Sequence, residues 1–251
     1  MADEELFPVT LPQQVFYYDY LLHRNESKYN MGGHMMLNGE LDIDLFRKAY
    51  NYATQKYDSL RQRFVVKDGE LFQYFLSEFQ PNVEYYDFRN RNSPLEDANK
   101  FILVENARPF PFENSNLCRE IILQTGDKQF IWFARFHHFS NDGYGHSIIN
   151  KTVSDIYNSL LTDNVFPEIQ PFSYVDFLED DLRYRNSEEF KNSSEYWQKK
   201  LTPLPEPLDF TSKKHGIKNF SLHNERVTLN LHRMCYASML KIGEEEGVSP
   251  F

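Results

Sequence analysis

The sequence predicts an α/β fold, an α+β sandwich in which helices cover a mixed, largely hairpin-linked sheet. Aromatic and β-branched runs bounded by turn residues alternate with helical patterns along the 251 residues. Two pairs of those runs are joined by tight turns, at Asp68-Gly69 and at Thr125-Gly-Asp-Lys128. The segment Thr202-Pro-Leu-Pro-Glu-Pro-Leu208, too rich in proline to continue a helix, then punctuates the chain.

In chain order, residues 45–60 read as a helix, with Asp42 or Asp44 as its N-cap and Leu45, Tyr52 and Tyr57 in an apolar stripe. Residues 63–75 read as a hairpin turning at Asp68-Gly69, and 83–88 as a strand. Ser93-Pro-Leu-Glu96 carries the signature of a capping box opening a helix towards Ala107. Residues 117–123 and 129–136 form a second hairpin, and 145–161, 174–185 and 187–201 read as helices. Polar residues 211–219 extend the proline linker, 221–231 alternate as a strand would, and 232–246 read as a final helix. The expected organisation is one lobe over residues 1–210, followed by linker, strand and the start of a second lobe over 211–251.

The net charge of −10 argues against a nucleic-acid partner, because phosphate binding demands a basic face. No run approaches the roughly 18 apolar residues of a membrane span, and the start Met1-Ala-Asp-Glu-Glu lacks a signal-peptide pattern, so a cytoplasmic location is expected. Cys118 and Cys235 show no metal-ligand spacing and read as free thiols. No metal site and no glycine-rich phosphate loop is expected. With 22 Phe and 16 Tyr, core and interface surfaces should be rich in rings. Arg183, Arg185, Lys191, Lys199 and Lys200 offer cations for a local anionic contact, although solvated helix faces explain them equally well.

The stretch most suited to chemistry is Arg135-Phe-His-His-Phe-Ser-Asn-Asp-Gly143, leaving the buried strand Gln129-Phe-Ile-Trp-Phe-Ala134. A lone histidine after a strand is ordinarily a packed residue. Adjacent histidines followed by Asp-Gly are rarer, and histidine is the side chain whose unperturbed pKa lies nearest neutrality. This pattern, His-His-x-x-x-Asp-Gly, resembles the active-site motif of the condensation domains of nonribosomal peptide synthetases. Further segments resemble that family in the same order: Val9-Thr-Leu-Pro-Gln-Gln-Val-Phe-Tyr-Tyr18, Tyr57-Asp-Ser-Leu-Arg-Gln-Arg-Phe64, Tyr174-Val-Asp-Phe177 and Glu195-Tyr-Trp-Gln-Lys-Lys-Leu201. In the first, Gln13 is kept while Thr10, Pro12, Val15 and Tyr17 depart from the pattern; in the second, Asp58 stands where the family has Glu.

The resemblance implies a chloramphenicol acetyltransferase-like lobe, the N-terminal half of a two-lobed acyltransferase. The implied reaction joins a donor acyl or peptidyl thioester to an acceptor aminoacyl thioester as an amide. Both substrates ride on phosphopantetheine arms of peptidyl carrier proteins, with an adenylation domain downstream in the parent synthetase and no cofactor bound by the chain itself. The product class is that of peptide antibiotics or siderophores. Carried onto this sequence, His138 faces the reacting amine, and Gly143 lets the acyl group approach the backbone, where its N–H can stabilise an oxyanion. Asp142 braces the loop through an arginine: Arg61, Arg135, or one in the second lobe. His137 supports the site by packing, His146 reads as surface or structural, and Tyr144 lines the substrate tunnel. Alone, this half is expected to be inactive. Two rivals remain at this level: a self-contained trimeric CoA-dependent acyltransferase, and a noncatalytic carrier-binding module.

Overall fold

The computed structural model describes residues 5–23, 26–206 and 229–249. It divides into two compact units, Met1–Lys199 and Lys200–Phe251. In the first, strand β1 (Phe7–Pro8) precedes α1 (Leu11–Leu22), β2 (Asn30–Asn38) and α2 (Ile43–Lys56). A 3₁₀ turn (Asp58–Arg61) then leads into β3 (Gln62–Lys67), β4 (Glu70–Phe75), β5 (Val83–Asp87) and α3 (Pro94–Asn106). Strands β6 (Cys118–Gly126) and β7 (Gln129–His137) lead to α4 (Gly143–Asp163), α5 (Tyr174–Arg185) and α6 (Glu188–Lys200).

The larger sheet has the order β2-β7-β6-β5, antiparallel except for the parallel β5–β6 pair, and is therefore mixed. Its central strands are apolar on both faces because both faces are covered. Ile122, Phe130 and Trp132 pack with Phe46, Ala49, Tyr50 and Ala53 of α2 and Ile149, Val153 and Ile156 of α4. The alternate residues Ile121, Leu123, Ile131 and Phe133 pack with Ala98 and Ile102 of α3. The smaller sheet, β1-β4-β3, closes around a third cluster that contains Val9, Phe64, Phe112 and Phe139. Its hairpin turns at Asp68 (φ 55°) and Gly69 (φ 85°), the left-handed pair that a two-residue turn with native strand twist requires.

Several expectations are corrected. The helix read over 45–60 ends at Lys56, where Tyr57 becomes extended (φ −114°, ψ 104°) and bridges Phe172. Asp42, not Asp44, caps it, accepting from Leu45 N at 2.9 Å. Ser93 makes no side-chain cap, and Glu96 instead pairs with Lys100 at 2.8 Å. A full capping box forms where none was read, between Thr10 and Gln13 at the start of α1. Strands β1 and β2 and helix α1 were not anticipated. The polar stretch 211–219 and most of the strand read over 221–231 lie outside the described residues.

In the second unit the helix expected over 232–246 is α7 (Arg233–Glu246), capped by His232 and ended by Gly247 at φ 65°. Cys118 and Cys235 are free thiols. Among the described residues no helix is long and apolar enough to cross a membrane, and no cluster of His, Cys, Asp and Glu could hold a metal ion.

Candidate active site

Strand β7 ends at His137, whose N–H donates to Leu117 O at 2.9 Å. Beyond it the chain turns at once, with Ser140 N donating to His137 O at 3.0 Å. His137 is buried, and its Nδ1 accepts from Phe139 N at 3.2 Å, so a neutral ring carries its proton on Nε2. Burial, aided by the neighbouring His138, holds its pKa down at about 4. His137 is thus a neutral structural residue, ringed by Phe110, Phe112 and Phe139.

His138 is half-buried and fixed from several directions. Its backbone N–H donates to Tyr29 O at 2.9 Å, and its ring stacks on Phe16 at 5.3 Å with planes 26° apart. Its Nδ1 lies 3.1 Å from Asn141 O. A carbonyl oxygen only accepts, so in the neutral ring Nδ1 carries the proton and Nε2 presents the lone pair. Among the described residues Nε2 has no hydrogen-bond partner. Phe139 anchors the loop in the core against Phe64 and Phe112.

Asp142 is exposed and caps α4: its Oδ1 accepts from Gly145 N at 2.7 Å. Neither Arg61 nor Arg135 makes the expected ion pair with it, and those two partners are corrected; an arginine of a second lobe is the alternative that is left. Arg61 instead donates to Leu76 O at 2.6 Å and Ser77 O at 3.2 Å. Arg135 is buried on the opposite side of β7, over the Phe110 ring at 4.1 Å, donating to Glu105 O and, at 2.6 Å, to Arg108 O. Both arginines support the fold around the site and neither touches Asp142. The cap also explains Gly145, where a Cβ would meet Asn141 Oδ1 at 2.4 Å and Asp142 Oδ1 at 3.3 Å. Asp142→Asn, which keeps a capping oxygen, should therefore change unfolding free energy by only a few tenths of a kcal/mol, and Asp142→Ala should cost about 1 kcal/mol. Urea unfolding of both variants checks this; a loss of several kcal/mol in Asp142→Asn would restore a buried ion pair.

Gly143 opens α4, and a Cβ there would meet nothing within 4 Å, so the space beside its backbone is open. Tyr144 is 78% exposed and lines a cavity of about 800 Å³. Ile148, Phe172 and Phe177 form apolar parts of its wall, with Asp58 and Asp142 at its polar edge. Burial raises the Asp58 carboxyl pKa, opposed by the Tyr174 N–H, which lies 2.8 Å from each carboxylate oxygen. His146 is turned towards Phe136 at 4.7 Å, and burial lowers its pKa to about 4, as befits a structural residue. Arg183 and Arg185 pair with Asp180 and Asp181 on their own helix, and Lys191 with Glu188 on its own. Arg183 and Lys191 read as helix-face pairs, whereas Arg185 also donates to Val9 O at 2.8 Å.

Sequence reasoning did not single out Phe16, Tyr29, Asn141 or Phe139, which hold the loop. Phe16 and Gln13 fall inside segment 9–18, so the signal was present without a role attached. The segments at 9–18, 57–64 and 174–177 converge behind the histidine loop, through Gln13–Phe139, Gln13–Tyr174 and Asp58–Tyr174.

Comparison with known proteins bears on what this arrangement serves. A family model described as Condensation domain matches residues 3–249. The dimodular nonribosomal peptide synthase of Bacillus subtilis (strain 168) is 24% identical over 196 residues, 78% of this chain and 8% of that protein. Surfactin synthase subunit 1 of the same organism is 26% identical over 232 residues, 91% of this chain and 6% of that protein. Among solved structures, the starter condensation domain of rhizomide synthetase superposes with a TM-score of 0.75 at 22% identity, covering 81% of this chain and 49% of that one. The first condensation domain of the calcium-dependent antibiotic synthetase, in complex with a substrate analogue, gives a TM-score of 0.83 at 18% identity, covering 98% and 58%. The chain thus spans about half of these structures and a small part of the curated relatives.

Proposed function

The chain belongs to the condensation-domain family, and from that premise we propose that it contributes the histidine-bearing wall of a site that forms amide bonds in nonribosomal peptide synthesis. The substrates are a donor acyl or peptidyl thioester and an acceptor aminoacyl thioester, each on the phosphopantetheine of a peptidyl carrier protein. The observation that carries the reading is the ring of His138, with Nδ1 held by Asn141 O and Nε2 left as the available base, one turn of chain before the open backbone at Gly143.

An α-amino group has an ordinary pKa of roughly 8, so a usable fraction is neutral near pH 7 and attack itself needs no strong base. As the amine nitrogen bonds to the thioester carbon, it must lose a proton. His138 Nε2 holds the amine in line and takes that proton, which then passes to the departing thiolate as the C–S bond breaks. The Gly143 N–H, among the donors that a helix start leaves unpaired, faces the developing oxyanion. Asp142 fixes the helix start and takes no part in proton transfer.

A chain spanning half of the matched structures presents His138 without a second wall, so water exclusion and near-attack geometry are incomplete. The exposed rings of Tyr144, Phe172 and Phe177 beside the cavity support an apolar surface made to be covered. The purified 251-residue polypeptide should form no amide between loaded donor and acceptor carriers, whereas a chain extended to the matched length should. Mass spectrometry of the acceptor carrier checks both. Robust condensation by the shorter chain would overturn this account and favour a self-contained oligomeric acyltransferase.

A further inference from the structure

We infer that Gln13 is a positioning residue for His138, acting through the backbone of the loop rather than on the substrate; this rests on the function proposed above. Gln13 is 4% exposed, at the first turn of α1, far in sequence from the histidines. Its Nε2 donates to Phe139 O at 3.0 Å, the carbonyl immediately after His138. Its Oε1 accepts from Thr10 N at 2.9 Å and from Gln73 Nε2 at 3.2 Å, and Gln73 Nε2 also donates to Pro8 O at 2.8 Å. Gln62 Nε2 closes the chain by donating to Gln73 Oε1.

A row of buried amides therefore runs from β3 and β4 through α1 to the histidine loop, and ends on the backbone carbonyl of Phe139, next to His138. A buried carbonyl left without a donor is costly enough to reorient a short turn. The same helix supplies Phe16, on which the His138 ring stacks, so α1 fixes both the ring plane and the backbone that carries it. If the loop rotates, the Nδ1 contact with Asn141 O is lost, and with it the single tautomer that leaves Nε2 free. Burial alone explains an amide at position 13; it does not explain why its only backbone acceptor in the loop is the residue bonded to His138.

The test is Gln13→Glu. Thr-x-x-Glu is a standard capping box, so α1 keeps its start and Thr10 N keeps its acceptor, while at a pH high enough to ionise the carboxyl the donor to Phe139 O becomes a repelling oxygen. In the 251-residue chain, the imidazole nitrogen signals of His138 should report a single Nδ1–H tautomer before substitution and a mixture after it. In the extended chain, kcat should fall roughly 10–100-fold with KM for the loaded carriers within about twofold. Gln13→Met, still capped through Thr10 Oγ1, should behave alike. Unchanged His138 signals and kcat in a folded variant would overturn the inference, as would loss of folding in both variants, which would leave Gln13 purely structural. The tautomer readout requires no turnover, so it decides the role of Gln13 even if the extended chain proves inactive and the proposed reaction fails.

Discussion

Replacing His138 with alanine in a chain extended to the length of the matched structures should lower amide formation by about 10²–10⁴-fold, the usual worth of a positioned general base. The thermal midpoint should stay within a few degrees, because the loop is held by bonds that do not involve the ring. His138 N still donates to Tyr29 O, Gln13 still donates to Phe139 O, and Phe139 stays in the core. Only the stacking contact with Phe16 and the Nδ1 bond to Asn141 O are lost. A glutamine at 138 separates the two parts of the proposed role, since it can hold an amine but takes no proton near neutral pH. Substantial activity in His138→Gln would weight positioning; retention of most activity in a folded His138→Ala would remove His138 from the reaction centre.

Replacing Glu120 with glutamine should raise stability at pH 8 by about 3 kcal/mol while leaving it almost unchanged at pH 4. Glu120 is 2% exposed on the sheet face that packs under α2. It accepts from Trp132 Nε1 at 2.6 Å and from Cys118 Sγ at 3.7 Å, and Cys118 in turn lies 3.6 Å from Tyr50 OH. No cation is paired with it among the described residues. Burial pushes its pKa from 4.5 up to about 7, against the opposing pull of the Trp132, Cys118 and Tyr50 donors. A raised folded-state value means the carboxyl favours folding fully below about 4.5 and loses that contribution as pH climbs through about 7. His137 and His146, held down at about 4, act oppositely: their contribution is complete above the unfolded value of roughly 6.5 and is lost as pH falls through about 4. Comparing the variant with the parent at each pH cancels the histidine terms. Urea unfolding at pH 4, 6 and 8 checks the prediction, and a pH-independent difference would contradict it.

Much of this architecture was legible because the governing signals are local. The Asp68-Gly69 turn, the doubly buried β6–β7 hairpin and the helices over 174–185 and 187–201 follow from turn chemistry and periodicity. Strand β2 was invisible to the same reasoning, because Asn30-Met-Gly-Gly-His-Met-Met-Leu-Asn38 neither alternates nor carries β-branched residues. It is a strand because β7 supplies a nine-residue antiparallel template, and Gly32 leaves room for Asn106, whose Oδ1 a Cβ would meet at 2.1 Å. The capping signature at Ser93-Pro-Leu-Glu96 misleads because Glu96 finds Lys100, while the equivalent signature at Thr10-Leu-Pro-Gln13 reads only as part of a family motif, with Gln13 kept and Thr10 and Pro12 departing. At the site, the place of the loop between β7 and α4 was legible and its bracing was not. Asp142 is satisfied by the helix it starts, and the residues that steady His138 come from positions 13, 16 and 29, which only the folded chain brings near.

The central claim is that the histidine loop serves amide formation between two carrier-bound thioesters. Intact-mass spectrometry of the acceptor carrier, after incubation with a loaded donor carrier and the extended chain, tests it most directly. The account predicts that the acceptor carrier gains the donor acyl mass, that mild base releases from it an acyl-aminoacyl product whose amide is intact, and that the donor carrier returns to the free thiol. An acceptor carrier of unchanged mass, with acyl transfer instead from CoA to a small acceptor by the 251-residue chain alone, would contradict it.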